Sequence, residues 1–114
     1  MLSNNQQKQI AEQFIKFFCK GDIDSLIVLM SEDLKFQGPL FKFDSREAYI
    51  KALQNDPPEE TACEIISLTI NQDSVCIFYK YGKGEAHITI AQHFKFLGSL
   101  ISEILVVFDP RGVT

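Results

Sequence analysis

Few polar side chains interrupt the apolar segments of this sequence, and Gln92 is the clearest of them. The other residues on the same face of its alternating segment are all apolar: Ile88, Ile90, Phe94 and Phe96. An amide in such a row can donate and accept hydrogen bonds within apolar surroundings. We expect Gln92 either to face a bound molecule or to be satisfied inside a closed core.

Tyr79 is the second candidate for a ligand contact. Its ring can bury apolar surface while its hydroxyl bonds a carbonyl or hydroxyl group of a ligand. Tyr79 and Gln92 are therefore the pair that we expect to face a ligand. The alternative is that they bond each other, or water, in a filled core.

The histidines and acidic residues form no recognisable catalytic or metal-binding pattern. His87 and His93 fall on the opposite side of their strand from Gln92, with no Cys or carboxylate at ligand spacing. We expect them at the surface or at a subunit contact, with no metal and no cofactor bound. Glu32 and Asp33 are expected to form a turn between a helix and a strand; an acid at the mouth of a pocket is the alternative for Asp33.

The three cysteines, Cys19, Cys63 and Cys76, are an odd number without CxxC spacing. This favours reduced, buried thiols in a cytosolic chain over a disulfide framework or a zinc site. A redox-dependent bridge between Cys63 and Cys76, which could lie on adjacent strands, is the alternative.

Length and composition predict a single soluble domain over residues 1–114. The hydrophobic fraction of 46% is sufficient for a core at this length. The net charge of −4, with scattered basic residues, argues against a nucleic-acid partner. The N-terminus has no basic region followed by an apolar run, and no apolar stretch approaches the roughly 20 residues that span a bilayer. We therefore expect a cytoplasmic protein without a membrane partner.

Helical spacing dominates the first half of the chain. The first helix is predicted at 4–20, from a capping box at Ser3 and Gln6 to a stop at Gly21. Asp22 is expected to cap a short second helix, and a box-like cap at Asp44 and Glu47 to begin a third helix that ends near residue 54. Strands are predicted at 34–36, 40–43, 63–70, 75–81, 85–96 and 101–108.

The last predicted strand is apolar on both faces. Ile104, Val106 and Phe108 would face the helices, whereas Leu105 and Val107 would point away from them. Helices followed by an antiparallel meander indicate an α+β domain whose curved sheet wraps around the helices. Since an apolar outer face is typical of a subunit interface, we predict a homodimer through the outside of the sheet.

The segment Glu12–Pro39 resembles the start of the ketosteroid isomerases and of the wider SnoaL-like, nuclear transport factor 2-like superfamily. The signs are a helix closed by Gly21 and Asp22, a second short helix, and a short strand before the proline. The segments 91–96 and 101–109 resemble the last two strands of that superfamily. The resemblance covers nearly the whole chain. It implies a cone, in which a curved, mostly antiparallel sheet wraps around three N-terminal helices. It also implies an apolar pocket within the cone and a dimer, since members of the superfamily commonly dimerise.

Aligning the strands with those of the superfamily implies which side chains line the pocket. The expected lining residues are Phe14, Phe18, Phe36, Tyr79, Gln92 and Phe94. A pocket walled by phenylalanine would favour small apolar or aromatic molecules over sugars and phosphates.

The resemblance does not extend to the isomerase chemistry. A ketosteroid isomerase uses a Tyr on the first helix, an acid on the penultimate strand and an Asp just before the Pro; the matching positions are Phe14, Gln92 and Gly38. Gly38 cannot accept a proton and Phe14 has no hydroxyl, so only Gln92 can donate a hydrogen bond. The isomerase mechanism is therefore expected to be absent.

Three functions stay open at this point. The first is binding of a small apolar molecule in the pocket. The second is an enzyme of the isomerase, cyclase or hydratase type that moves protons with Tyr79, Tyr49 or an acid near Asp33. The third is a ligand-free, dimeric interaction module whose cone is filled by its own phenylalanines. The size of the cavity distinguishes the third from the other two.

Overall fold

Three helices and six strands make up the part of the chain that the structure, a computed structural model, describes, which is residues 4–82 and 87–112. The helices are α1 (Asn4–Lys20), α2 (Ile23–Ile27) and α3 (Arg46–Asn55). The strands are β1 (Met30–Gln37), β2 (Lys42–Phe43), β3 (Cys63–Asn71), β4 (Ser74–Tyr81), β5 (Ile88–Leu97) and β6 (Leu100–Val107). A short 3₁₀ turn follows at Pro110–Gly112, and no described helix is both long and apolar enough to cross a membrane.

The helix ends follow local chemistry. Gly21 has a φ of +75°, a conformation that glycine adopts without strain, and its N–H bonds the Phe18 carbonyl at 3.0 Å, which ends α1 as predicted. Asp22 caps α2 by accepting from the Ser25 N–H. The predicted cap of α3 at Asp44 is wrong by one residue, because the Ser45 hydroxyl accepts from the Ala48 N–H. The capping box predicted at Ser3 and Gln6 includes Ser3, which lies outside the described residues.

The turn predicted at Glu32 and Asp33 is wrong, because these residues belong to β1. This strand pairs in parallel with β6, where Phe36 lies opposite Ile104 and Gln37 opposite Leu105. The partner strand is remote in sequence, so local composition does not reveal the pairing. Both acids are exposed on the strand.

The strands form one mixed sheet in the order β2-β1-β6-β5-β4-β3. Only the β1–β6 pair is parallel, and the others are antiparallel. The helices cover one face. The predicted α+β class with a mostly antiparallel curved sheet is confirmed.

The two faces of β6 differ as predicted. Ile104 is 2% exposed and packs in the core, whereas Leu105 and Val107 are 45% and 56% exposed on the outer face. On β5, Gln92 and Phe94 lie on the covered face and are buried. The alternation therefore orients both strands correctly, and it leaves an apolar outer surface on the described sheet.

The cysteine prediction is wrong for two of the three residues. Cys19, near the end of α1, and Cys63, the first residue of β3, form a disulfide with their Cα atoms 6.3 Å apart. Cys76 is a free thiol on β4 opposite Thr69, so the alternative bridge between Cys63 and Cys76 is wrong as well. Tertiary packing of α1 against β3 creates the pair, which sequence spacing does not show. The cysteine count therefore no longer supports a reducing compartment.

Candidate ligand-binding cavity

A cavity of about 340 Å³ lies between the helices and the inner face of the sheet. This volume is at the lower end of the range for small-molecule sites. Its lining residues come from α1, α3, β1, β2, β4, β5, β6 and the loops between them, and most are apolar or aromatic. The described phenylalanine side chains therefore leave space between the helices and the sheet.

The exposure of the lining residues shows which end of the cavity is open. Leu40 and Phe41, in the loop after Gly38, are 44% and 64% exposed, and Asp56 at the end of α3 is also exposed. These residues form the mouth. Phe14 and Gln92, which are 1% and 4% exposed, mark the inner end.

A group of aromatic rings forms one wall. Phe36 on β1 stacks on Tyr49 of α3, with ring centroids 4.5 Å apart. Phe43 contacts both rings, at 5.8 Å from Phe36 and 5.6 Å from Tyr49. Phe41 stacks on Phe43 at 6.3 Å and extends the wall to the mouth. A flat apolar ligand could bury its surface against this wall.

The inner end carries a buried polar pair. The Tyr79 hydroxyl donates a hydrogen bond of 2.8 Å to the Gln92 Oε1. Tyr79 lies opposite Ile90, and Gln92 opposite Ile77, so the pair is diagonal across β4 and β5. The two side chains satisfy each other, as one alternative required, and both also line the cavity.

Two hydrogen-bond donors at this end have no partner among residues 4–82 and 87–112. Gln92 Nε2 carries two N–H groups, and neither is bonded while Oε1 accepts from Tyr79. The Tyr49 hydroxyl likewise has no hydrogen bond within the described chain, although Tyr49 is 3% exposed. The inner end therefore offers unbonded N–H and O–H donors, while Gln92 Oε1 already accepts one of the two hydrogen bonds that an amide oxygen can accept.

Burial keeps both phenols neutral. It raises the pKa of Tyr49 and the pKa of Tyr79 far above the usual value near 10, and proximity of the two phenols raises the pKa of Tyr49 further. Neither hydroxyl therefore ionises at physiological pH. Both groups can donate hydrogen bonds, but neither is a phenolate base.

Five of the six sequence-predicted residues line the cavity: Phe14, Phe18, Phe36, Tyr79 and Gln92. The sixth, Phe94, does not. It is fully buried, with its ring 5.4 Å from that of Phe14 in an edge-to-face contact, and it belongs to the core behind the cavity.

Sequence reasoning missed several lining residues. Leu40 and Phe41 follow Gly38 and Pro39, and a turn next to apolar residues was the signal that could have indicated a pocket mouth. Asp56, the carboxylate found among the described lining residues, had no such signal. Asp33, which sequence reasoning considered, is exposed on β1 and does not line the cavity.

The three positions that depart from the isomerase pattern all line this cavity: Phe14, Gly38 and Gln92. No carboxylate therefore stands where that chemistry needs its acid and its base. The described residues also hold no group of His, Cys, Asp and Glu side chains suited to a metal ion. His93 lies opposite Leu105 on the outer face of the sheet, away from Gln92.

Solved structures with similar folds cover almost the whole chain. An NTF2-like protein of unknown function from Cytophaga hutchinsonii superimposes with a TM-score of 0.74 at 16% identity, covering 97% of this chain and 94% of that one. The fold is NTF2-like. A putative ketosteroid isomerase from Kribbella flavida gives 0.80 at 14% identity, with 93% and 79% covered. An M. tuberculosis LEH-like epoxide hydrolase gives 0.76 at 13% identity, with 96% and 86% covered.

These likenesses confirm the superfamily resemblance at the level of fold. No protein-family model matches the sequence, and no curated protein matches it. Solved structures with this fold include both a putative ketosteroid isomerase and an epoxide hydrolase. The function of this chain must therefore be argued from its own cavity.

Proposed function

We propose that this NTF2-like domain binds a small, neutral, apolar molecule that carries one hydrogen-bond-accepting group, such as a carbonyl or a hydroxyl. The observation that carries the proposal is the cavity of about 340 Å³, with the unpartnered Gln92 Nε2 at its inner end. Aromatic walls bury the apolar body of the molecule, and the amide orients its polar end.

The balance of donors and acceptors supports an accepting group on the ligand. Gln92 Oε1 already accepts from Tyr79, while Gln92 Nε2 and the Tyr49 hydroxyl are free to donate. A ligand that displaces water from this end must satisfy these donors, so an accepting group on the ligand is favoured. A hydrocarbon would leave the donors unsatisfied.

The charge of the lining supports a neutral ligand. No Lys, Arg or His is found among the described lining residues, and Asp56 at the mouth is acidic. A carboxylate at the inner end would be buried without an opposite charge, which is costly. The described lining residues also place no ionised base at the inner end, which supports binding over proton transfer.

The first prediction tests the amide with two probes of nearly the same shape. The ketone 2-acetylnaphthalene should bind the natural protein about two- to tenfold more tightly than 2-isopropenylnaphthalene, which lacks the oxygen, because only the ketone accepts from Gln92. Gln92→Leu should reduce this preference. Isothermal titration or ligand-observed NMR measures both affinities.

The matched control is Gln54→Leu, the same change at an exposed position of α3 outside the cavity. It should retain the preference for the ketone. Equal binding of the two probes to the natural protein would refute the role of Gln92, and no binding of either probe would count against the proposed function.

We also propose that two copies associate through the outer apolar patch, which consists of Phe78, Ala91, Leu105 and Val107. These residues lie side by side, since Phe78 pairs with Ala91 and Ala91 with Val107 across the sheet. Phe78, Leu105 and Val107 are 44%, 45% and 56% exposed. A second copy can cover the patch with the same residues, as a twofold interface requires.

The charges that flank the outer apolar patch support a second copy as the partner. Lys80 pairs with Glu64, and Lys95 pairs with Glu103, each at 3.8 Å. Each pair is neutral within its own chain. Two copies that face each other through this patch therefore do not repel each other through a large excess of like charge.

The second prediction concerns Leu105→Asp. A carboxylate in the middle of a twofold apolar interface lies unpaired, and it should weaken the dimer about a hundredfold or more. Sedimentation velocity should show a dimer for the natural protein and a monomer for the variant. Leu97→Asp, at the 72% exposed last residue of β5, should remain dimeric. A sedimentation coefficient that Leu105→Asp leaves unchanged would exclude this interface.

A further inference from the structure

The disulfide lies directly beside the cavity wall. Cys19 follows Phe18 in α1, and Cys63 pairs with Tyr81 across β3 and β4. Phe18 and Tyr81 both line the cavity, and their ring centroids are 6.2 Å apart. The cross-link therefore joins α1, which carries Phe18, to β3, the strand paired with the one that carries Tyr81.

Apart from its pairing with β4, β3 has few contacts with the rest of the described chain. β3 is an edge strand, paired on one side with β4, and most of its side chains are exposed. Two backbone hydrogen bonds hold the residues just before the strand: Thr61 N–H to the Cys19 carbonyl at 2.9 Å, and Gly82 N–H to the Ala62 carbonyl at 3.0 Å. An edge with few buried contacts opens locally more easily than a central strand.

The segment that leads into β3 also reaches the mouth. Residues 56–62 contain no helix or strand, and Asp56 at their start lines the cavity. The Pro58 carbonyl packs so closely on Gly21 that an added Cβ would lie 2.9 Å from it. Movement at the start of β3 would therefore affect Asp56 at the mouth as well as the contact between Phe18 and Tyr81.

We infer that the Cys19–Cys63 disulfide is a redox-sensitive clamp that holds the α1 side of the cavity wall against β3, and that its reduction loosens the wall and weakens ligand binding. The effect on binding rests on the proposed function, whereas the effect on the wall does not. A preorganised wall binds more tightly because less ordering is required when the ligand enters.

Reduction proceeds by thiol–disulfide exchange with a small dithiol. Cys19 is 4% exposed and Cys63 is half-buried, so the thiolate of the dithiol attacks Cys63 Sγ. The Sγ–Sγ bond breaks, a mixed disulfide forms, and the Cys19 thiolate that leaves takes up a proton. The second thiol of the dithiol then displaces Cys63, which also ends as a thiol. The two electrons come from the dithiol, which becomes a disulfide.

Cys76 provides a matched control on the same protein. It lies on β4 opposite His93 and is not part of the bond. Burial raises the pKa of its thiol, so little reactive thiolate is present near neutral pH. Cys76→Ser should therefore leave every response to the dithiol unchanged.

The first test measures the wall without any ligand. Amide hydrogen exchange at Thr61 and Gly82 should become about tenfold faster, or more, when the natural protein or Cys76→Ser is treated with dithiothreitol. The Cys19→Ser/Cys63→Ser variant should exchange fast with or without dithiothreitol. If reduction left exchange at both amides unchanged, the clamp would be refuted. It would also be refuted if all three cysteines could be alkylated after unfolding without reductant, because that result would mean that no disulfide is present.

The second test measures binding of 2-acetylnaphthalene to the oxidised and reduced proteins. Affinity should fall about three- to tenfold on reduction of the natural protein and of Cys76→Ser, and it should be low throughout for the double variant. Faster exchange with equal affinity in both states would overturn the control of binding. Faster exchange without binding in either state would support the clamp on the wall and refute the proposed function instead.

Discussion

Reduction of the Cys19–Cys63 disulfide is expected to lower the free energy of unfolding by about 2 to 4 kcal/mol. The bond joins residues separated by 44 positions, and a cross-link of that span removes chain entropy from the unfolded state worth about 4 kcal/mol. Urea denaturation followed by circular dichroism, with and without dithiothreitol, measures the difference. The melting temperature should fall by roughly 10 °C or more.

The same comparison has internal controls. The Cys19→Ser/Cys63→Ser variant should have the reduced stability under both conditions, because it has no bond to break. Cys76→Ser should behave as the natural protein does, since Cys76 is a free thiol. Equal stability of the natural protein with and without reductant would mean that the bond does not stabilise this fold.

Phe94→Ala is the second substitution with a large expected effect, a loss of about 3 to 5 kcal/mol in the free energy of unfolding. Phe94 is 0% exposed and its ring lies against that of Phe14, so the truncation leaves a void in the core rather than a wider cavity. Urea denaturation measures this loss.

Phe41→Ala is the matched control for this effect. Phe41 lines the mouth but is 64% exposed, so its truncation should cost less than about 1 kcal/mol of stability. It should instead weaken the binding of 2-acetylnaphthalene. A loss for Phe94→Ala as small as that for Phe41→Ala would place Phe94 on the cavity surface, as the sequence predicted, rather than in the core.

The limits of α1 and the two faces of β5 and β6 were predictable because each depends on nearby residues. Helical spacing ended by Gly21 defines α1, and strict alternation separates Gln92 on the covered face from His93 on the other. The same alternation identified Leu105 as an outer-face residue, and it is 45% exposed. These features need no knowledge of the remote parts of the chain.

The candidate site was only partly predictable. Tyr79 and Gln92 were identified from polarity within apolar strands, and they form a buried hydrogen bond at the cavity. Phe94 lies on the same face of β5 as Gln92, yet it belongs to the core. Alternation along a strand specifies the face that a side chain occupies, but not whether it reaches the cavity. Asp56 reaches the mouth through the fold of the loop after α3, which no local pattern indicates.

The sequence by itself determined the helices, the long antiparallel strands and the side of the sheet that each side chain occupies, since those depend on backbone propensity and on periods of a few residues. Only the tertiary structure decided the parallel pairing of β1 with β6, the disulfide between Cys19 and Cys63, and the boundary between core and cavity. Each of these joins residues that are distant in sequence, and such contacts form where packing of the whole chain brings them together.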